Sequence, residues 1–505
     1  MKRLIWVLLA VVVIGGVTGW GQLVAANTVP PPGLAPRAYA CYESCVLPNY
    51  IVADDFDMDG WLDLAVSCVG NNVVDVYSNN GNGIFSPAVP VAVNPGPIAL
   101  IAGHIGGYDG LPDIGVLSTL TVGSALQPVT RIPNGGPAFL GGGVPVAVPT
   151  PGLPKTGLVH MTGGYFDNNN LLDIAVAVST LGANQLYVYD NAGAQITPGI
   201  AAPIILVSPP VFVSTADFDQ NGWPDIAVLC AGNPATVTVY YNNGGIVNGA
   251  VRFTPVAPWS TATVLWQPLI PTGMDVGDFN ADGYPDLVVV GNVAVGTFLQ
   301  GYAQVLLNSV PTIGGSPIGF NAVLPAMQTW GFDTRFVEVA DFDGNGRDDF
   351  AAANYGSDTV TIFLTDGLPL VQDNRPVDPS GNYCLCEDQR KQDLLEIQFK
   401  LFKIELECGH FPIGLAAGDF DRNGKIDLAV ALQSASEDLC AQNPSCLEID
   451  FDIACGFNAN QKTHSDILKL RGLQEQESEQ CVPCKDCGHN TPPKPEIQTE
   501  SESKN

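Results

Sequence analysis

Five stretches of this sequence place oxygen-bearing side chains at the spacing of a cation cradle. In each, a carboxylate or amide stands at positions one, three, five and nine. The sets are Asp55, Asp57, Asp59 and Asp63; Asp217, Asp219, Asn221 and Asp225; Asp278, Asn280, Asp282 and Asp286; Asp341, Asp343, Asn345 and Asp349; and Asp419, Asp421, Asn423 and Asp427. A glycine occupies the sixth position of every one. Hard oxygen donors at alternate positions converge when the chain curls around a cation. The glycine permits the sharp turn that brings in the backbone carbonyl of the seventh residue: Trp61, Trp223, Tyr284, Arg347 or Lys425. This donor set favours calcium, in about five sites. Magnesium would keep more water, and zinc would call for the His or Cys that these loops lack.

An EF-hand opens in the same way but needs a bidentate Glu at the twelfth position, where this chain has Val66, Val228, Val289, Ala352 or Val430. A single Asx-rich turn needs no metal, but five with one ligand spacing argue for it. The second residue of each loop is Phe (Phe56, Phe218, Phe279, Phe342, Phe420), and alternation points it away from the cation toward a core. Two weaker copies complete the series. The stretch from His104 to Asp113 offers only Asp109 and Asp113, and that from Tyr165 to Asp173 has Tyr at the first ligand position. No metal is expected in the former and at most a weak site in the latter.

The elements that must carry these loops follow from what flanks them. The closing aspartates recur every 50 to 78 residues, at 63, 113, 173, 225, 286, 349 and 427. A span of about 60 residues suffices for four short strands and their turns. After each closing Asp comes a short apolar run such as Leu64-Ala65-Val66 or Ile226-Ala227-Val228, as in a strand buried on both faces. An alternating strand and an Asn/Gly turn follow, as at Asn79-Asn80-Gly81, Asp190-Asn191-Ala192-Gly193 and Asn242-Asn243-Gly244, where Asn and Gly would supply the positive φ of a tight hairpin. A Pro-containing segment, Pro87 to Pro95 in the first unit, then reads as an outer edge strand. Seven such sheets set radially leave no long unpaired edge, which predicts an all-β, seven-bladed β-propeller with calcium-binding loops over residues 49–457. An insertion at 369–411 lengthens the last step. Within it Ile397, Phe399 and Leu401 alternate as in a strand, against a competing helix over Asp388 to Glu407. A strand from residues 28–49 is expected to close the ring against the last blade.

The Asp-Phe-Asp-x-Asn/Asp-Gly-x-x-Asp loops with their Leu/Ile-Ala-Val strands resemble the FG-GAP or VCBS-type repeat, the unit of the integrin alpha-subunit head propeller. The resemblance implies calcium in the loop between the first two strands of a blade, on one rim of a disc. It also implies a binding or adhesion role.

The chain ends suggest the compartment. Lys2 and Arg3, an apolar stretch from Leu4 to Val17 and the small residues ending in Val24-Ala25-Ala26 read as a signal peptide over 1–26. The alternative is an uncleaved membrane anchor. A Cys-containing segment, 27–48, follows, and 458–505 is a charged, Cys-containing tail without the composition of a folded unit. Thirteen cysteines suit an oxidising location, whether secreted, periplasmic or at the cell surface. Local pairs are expected: Cys41 with Cys45, Cys384/Cys386 with Cys408, and Cys440/Cys446 with Cys455. Cys68 and Cys230 are read as buried thiols, and Cys481, Cys484 and Cys487 in the tail as disulfide partners more readily than as metal ligands.

A formal charge of −30, from 21 basic against 51 acidic residues, argues against nucleic acid and anionic membrane surfaces as partners. The partner is expected to be an extracellular protein or glycan. No nucleophile motif emerges, and the five histidines are scattered. The leading expectation is a non-catalytic binding, adhesion or scaffold module. Two alternatives are a lectin-like propeller, with Trp61, Trp223 and Tyr284 stacking on sugar, and a polysaccharide-active enzyme. The enzyme would need an acid–base pair in the central channel, which the sequence does not locate.

Overall fold

The computed structural model describes residues 38–451, apart from 121–124, 135–144, 247–250, 255–262, 309–319, 367–397, 436–445 and scattered loop positions. The signal-peptide, tail and Cys384/Cys386/Cys408 and Cys440/Cys455 expectations lie outside the described residues. The described strands fall into seven antiparallel sheets of four or five strands, and among the described residues the only helical turn is a 3-10 turn at Tyr355–Ser357. This is an all-β propeller.

Each sheet begins with an inner strand: Pro48–Asp54, Pro97–Gly103, Leu158–Gly164, Pro210–Ala216, Ile270–Gly277, Thr334–Ala340 and Gly409–Gly418. Each of these touches its two neighbours, and the last touches the first. The second strands, such as Asp63–Cys68 and Asp225–Cys230, are buried along their whole length, as the apolar runs require. Val89–Ala92 is an outer strand, as its prolines suggest.

The core lies between sheets. Seven apolar clusters each join one sheet to the next, the last joining the final sheet to the first. The second-position phenylalanines anchor them: Phe56, Phe218, Phe279, Phe342 and Phe420 are all buried, with Phe166 in the third unit and Ile105 in the second taking the same place. Burying one such ring contributes about 2 kcal/mol, so the residue beside each cradle also holds adjacent blades together.

Ala38–Glu43 pairs with Cys446–Phe451 as the outermost strand of the last sheet, closing the ring from the N-terminal side. Gln398–Glu405 is a strand along Thr359–Asp366, so the competing helix fails there. Alternation decides it, because Phe399 and Leu401 enter the core beside Phe350.

One cysteine expectation is overturned. Cys45 is bonded to Cys68, not to Cys41, with a Cα separation of 5.9 Å. Strand register puts Cys68 opposite Pro48, and the turn before Pro48 carries Cys45 over it; Cys41 is held in the closing strand opposite Glu448. Cys68 is therefore no free thiol, whereas Cys230 is free and buried.

Candidate metal centres

Each cradle joins an inner strand to the second strand of its sheet, so all of them occupy one rim. The sixth-position glycines, expected to permit a sharp turn, adopt a left-handed backbone, with φ from +82° to +91° at Gly60, Gly222, Gly283, Gly346 and Gly424. The fourth residue is left-handed as well, at Met58, Gln220, Ala281, Gly344 and Arg422, which the sequence pattern did not reveal.

The carboxylates hold the turn through its own amides. Asp55 Oδ1 accepts from Asp59 N at 3.1 Å and Oδ2 from Gly60 N at 2.8 Å. The same pair of bonds recurs at Asp217, Asp278, Asp341 and Asp419. The ninth-position Asp joins the loop to the sheet. Asp63 Oδ2 accepts from Phe56 N at 3.0 Å and Oδ1 from Asn79 N at 2.7 Å; Asp225 and Asp286 repeat this with Asn242 and Asn308.

These closing aspartates have no exposed surface. Burial pushes their carboxyls up, to about 7 at Asp63 and about 8 at Asp225, Asp286 and Asp349, against the partial relief given by the backbone amides. A buried carboxylate crowded by others gains from a cation. The carboxylates of Asp55, Asp57 and Asp63, of Asp217, Asp219 and Asp225, and of Asp341, Asp343 and Asp349 each converge within 4.8 Å. Several acidic clusters could thus hold a metal ion, and an all-oxygen donor set fits a hard cation.

The third unit draws a ligand candidate from outside its loop. Asp167 and Asp173 are joined by Asp190, from the hairpin, in a further cluster within 4.8 Å. Asp190 supplies the carboxylate that Tyr165 withholds; the signal was its place just before the hairpin Asn191, where the other units carry Ser78, Tyr241 or Leu307. In the second unit, where no metal is expected, Asp113 is met by Arg131 Nη1 at 3.1 Å. Other units have an aliphatic residue at the register position of Arg131, such as Val76 or Val239. The guanidinium runs beside Gly106, where a Cβ would collide with it.

The hairpin asparagines do not supply positive φ; that falls to Gly81, Gly193 and Gly244. Instead Asn79, Asn191 and Asn242 accept from those glycine amides in Asx turns, and their own side-chain amides reach the preceding unit's cradle. Asn79 donates to Phe420 O, Asn134 to Phe56 O, Asn191 to Ile105 O, Asn242 to Phe166 O and Asn308 to Phe218 O. Loops five and six are joined through Asp278 N and Asp348 Oδ2 at 2.7 Å. Trp61 and Trp223 are half-buried against the hairpin glycines Gly81 and Gly244, and Arg422 lies over the Trp61 ring at 4.3 Å.

Residues that sequence reasoning missed lie on the inner strands. Tyr50, His160, Asp275 and Glu338 line a central cavity of about 250 Å³. Only knowledge of the strand register places them together.

No curated protein matches the chain. Residues 166–228 and 217–289 match the family model described as FG-GAP-like repeat, and these spans run from the cradle of one unit to the second strand of the next. Together with the sheet geometry, this makes the molecule a β-propeller built with FG-GAP-like repeats, consistent with an integrin-alpha-like FG-GAP repeat protein.

Proposed function

We propose that this protein is an exported, calcium-binding, seven-bladed propeller that serves as a non-catalytic binding, adhesion or scaffold module. The observation that carries the reading is the repeated convergence of three carboxylates, one of them the fully buried closing aspartate. Calcium would neutralise that charge and tie the first and second strands of a blade together. Its role is then to stiffen the rim, because the first carboxylate of each cradle already accepts from the amides of its own turn. Seven sheets with inner strands in a closed cycle support the blade count, and the N-terminal charge and hydropathy pattern supports export.

The rim is the expected recognition surface for an extracellular protein. Trp61 and Trp223 rest on their own hairpins, which favours a structural role over sugar stacking. Isothermal titration of metal-free protein with calcium tests the reading, with magnesium as the control. Absence of calcium uptake at millimolar concentration would refute it, and a hit on a glycan array would move the partner class from protein to sugar.

A further inference from the structure

The central cavity is lined from six of the seven inner strands, and strand register sorts its walls into layers. The first layer holds Tyr50, His160, Phe212 and Phe336, with Ala99, Gly273 and Gly414 in the same register in the other sheets. These four rings meet in a cycle. His160 stacks on Phe212 at 3.7 Å and lies 5.4 Å from Tyr50, Phe336 is 5.3 Å from Tyr50, and Phe212 is 6.2 Å from Phe336. Two residues nearer the cradle rim comes a polar layer containing Thr162, Ser214, Asp275 and Glu338. The last layer is small, with Gly103, Gly164, Ala216, Gly277, Ala340 and Gly418 beside Asp54. The result is a cup with an aromatic floor and polar walls on the side of the cradle rim.

Its polar groups are unequally used. Asp275 accepts from Val276 N at 2.8 Å and from Val339 N at 2.9 Å, so both oxygens are committed to backbone. Glu338 Oε1 accepts from Ala417 N at 3.2 Å, which leaves Oε2 to the cavity. His160 is only 5% exposed, yet neither ring nitrogen meets a partner in hydrogen-bond geometry, although the Val213 backbone lies close by. A buried, unsatisfied imidazole costs about 1–3 kcal/mol. No Lys or Arg lines the cavity to balance the two carboxyls.

From this arrangement we infer that the cup is a binding site for a primary ammonium group, carried by a small free amine or by a lysine side chain of a partner. Its three N–H donors match three acceptors in the same cavity: Glu338 Oε2, an imidazole nitrogen of His160 and a hydroxyl oxygen of Ser214 or Thr162. Burial and the neighbouring Asp275 push the Glu338 carboxyl well up toward its neutral form, so an ammonium group would favour its ionisation, and the Tyr50, Phe212 and Phe336 rings line the same cavity. Burial holds the His160 ring neutral, so one nitrogen is free to accept. The cup is made by the inner strands, so none of these acceptors belongs to a cradle.

Calorimetric titration of the full chain with n-butylamine, with an Nα-acetyl-lysine amide and with neutral 1-butanol tests the assignment. We expect saturable one-site binding of at least one amine, at least tenfold tighter than the alcohol. Glu338→Gln should weaken it tenfold or more. His160→Phe should abolish it while leaving the melting temperature equal or higher, which a purely structural histidine would not do. A preference for butylamine identifies a small-molecule site, and a preference for the lysine derivative a protein-docking site. Failure of both amines to saturate, equal binding of the alcohol, or full affinity in His160→Phe overturns the inference; that last variant decides the matter if Glu338→Gln does not fold.

Discussion

Asn79 donates its side-chain amide to the backbone carbonyl of Phe420 over 2.8 Å, although the two residues are 341 positions apart. The bond joins the first hairpin to the last cradle. It is one of a set in which an Asn from one blade holds the loop of the blade before it. Cradle geometry and blade contact are therefore one system, and a change at either is felt by both.

Asn79→Ala should remove the side-chain bonds to Phe420 O and Leu62 O, leaving Phe420 O with the Gly83 amide alone, and cost about 1–3 kcal/mol, lowering the melting temperature. Asn80→Ala, whose exposed amide reaches only Ser86, is the control and should change little. Equal melting of the two variants would show that the hairpin bond does not help to hold the ring.

Calcium removal should weaken the whole disc. A site filled at a hundredfold above its dissociation constant contributes about 2.7 kcal/mol, so a chelator should lower the melting temperature measurably, and calcium should restore it where magnesium does not. Asp190→Asn tests the rebuilt third cradle, and bound calcium should fall by one ion per chain. An unchanged stoichiometry would mean that Asp167, Asp173 and Asp190 cluster without binding.

Arg131→Val should behave differently from any cradle variant. It strips Asp113 of the guanidinium it pairs with, in a setting where breaking a buried pair costs about 3 kcal/mol or more, and excess calcium should not recover the loss, since the sequence of this loop offers only Asp109 besides Asp113. The double variant Arg131→Val/Asp113→Asn should regain most of the stability in urea unfolding. Rescue of the single variant by calcium would show that the guanidinium had only displaced a working metal site.

The pH dependence of His160→Phe has a defined sign. Burial pushes the His160 imidazole down to about 3, well below its unfolded value of about 6.5. Between these values the unfolded chain binds a proton that the folded chain refuses, so this residue costs the parent stability as pH falls from about 6.5 toward 3. The cradle carboxyls, raised by burial, act in the opposite direction, so the difference between parent and variant is the quantity to measure. The variant's advantage should widen as pH drops, and a constant difference would mean that the ring protonates in place.

Much of this architecture is legible in the chain because it repeats. The closing aspartates mark each second strand, the glycine at position six marks a sharp turn, and the phenylalanine at position two lands between blades. What stays hidden is whatever the repeat does not encode. Arg131, Asp190 and the Cys45–Cys68 bridge each depend on which residue register brings opposite another. The central cup is still harder to read, because Tyr50, His160, Asp275 and Glu338 stand on four different inner strands, in two layers that only pairing reveals.

The closing strand has one more consequence. Ala38 lies directly opposite Phe451 on the outer side of the final sheet. The polypeptide therefore enters and leaves the disc at a single spot on its circumference.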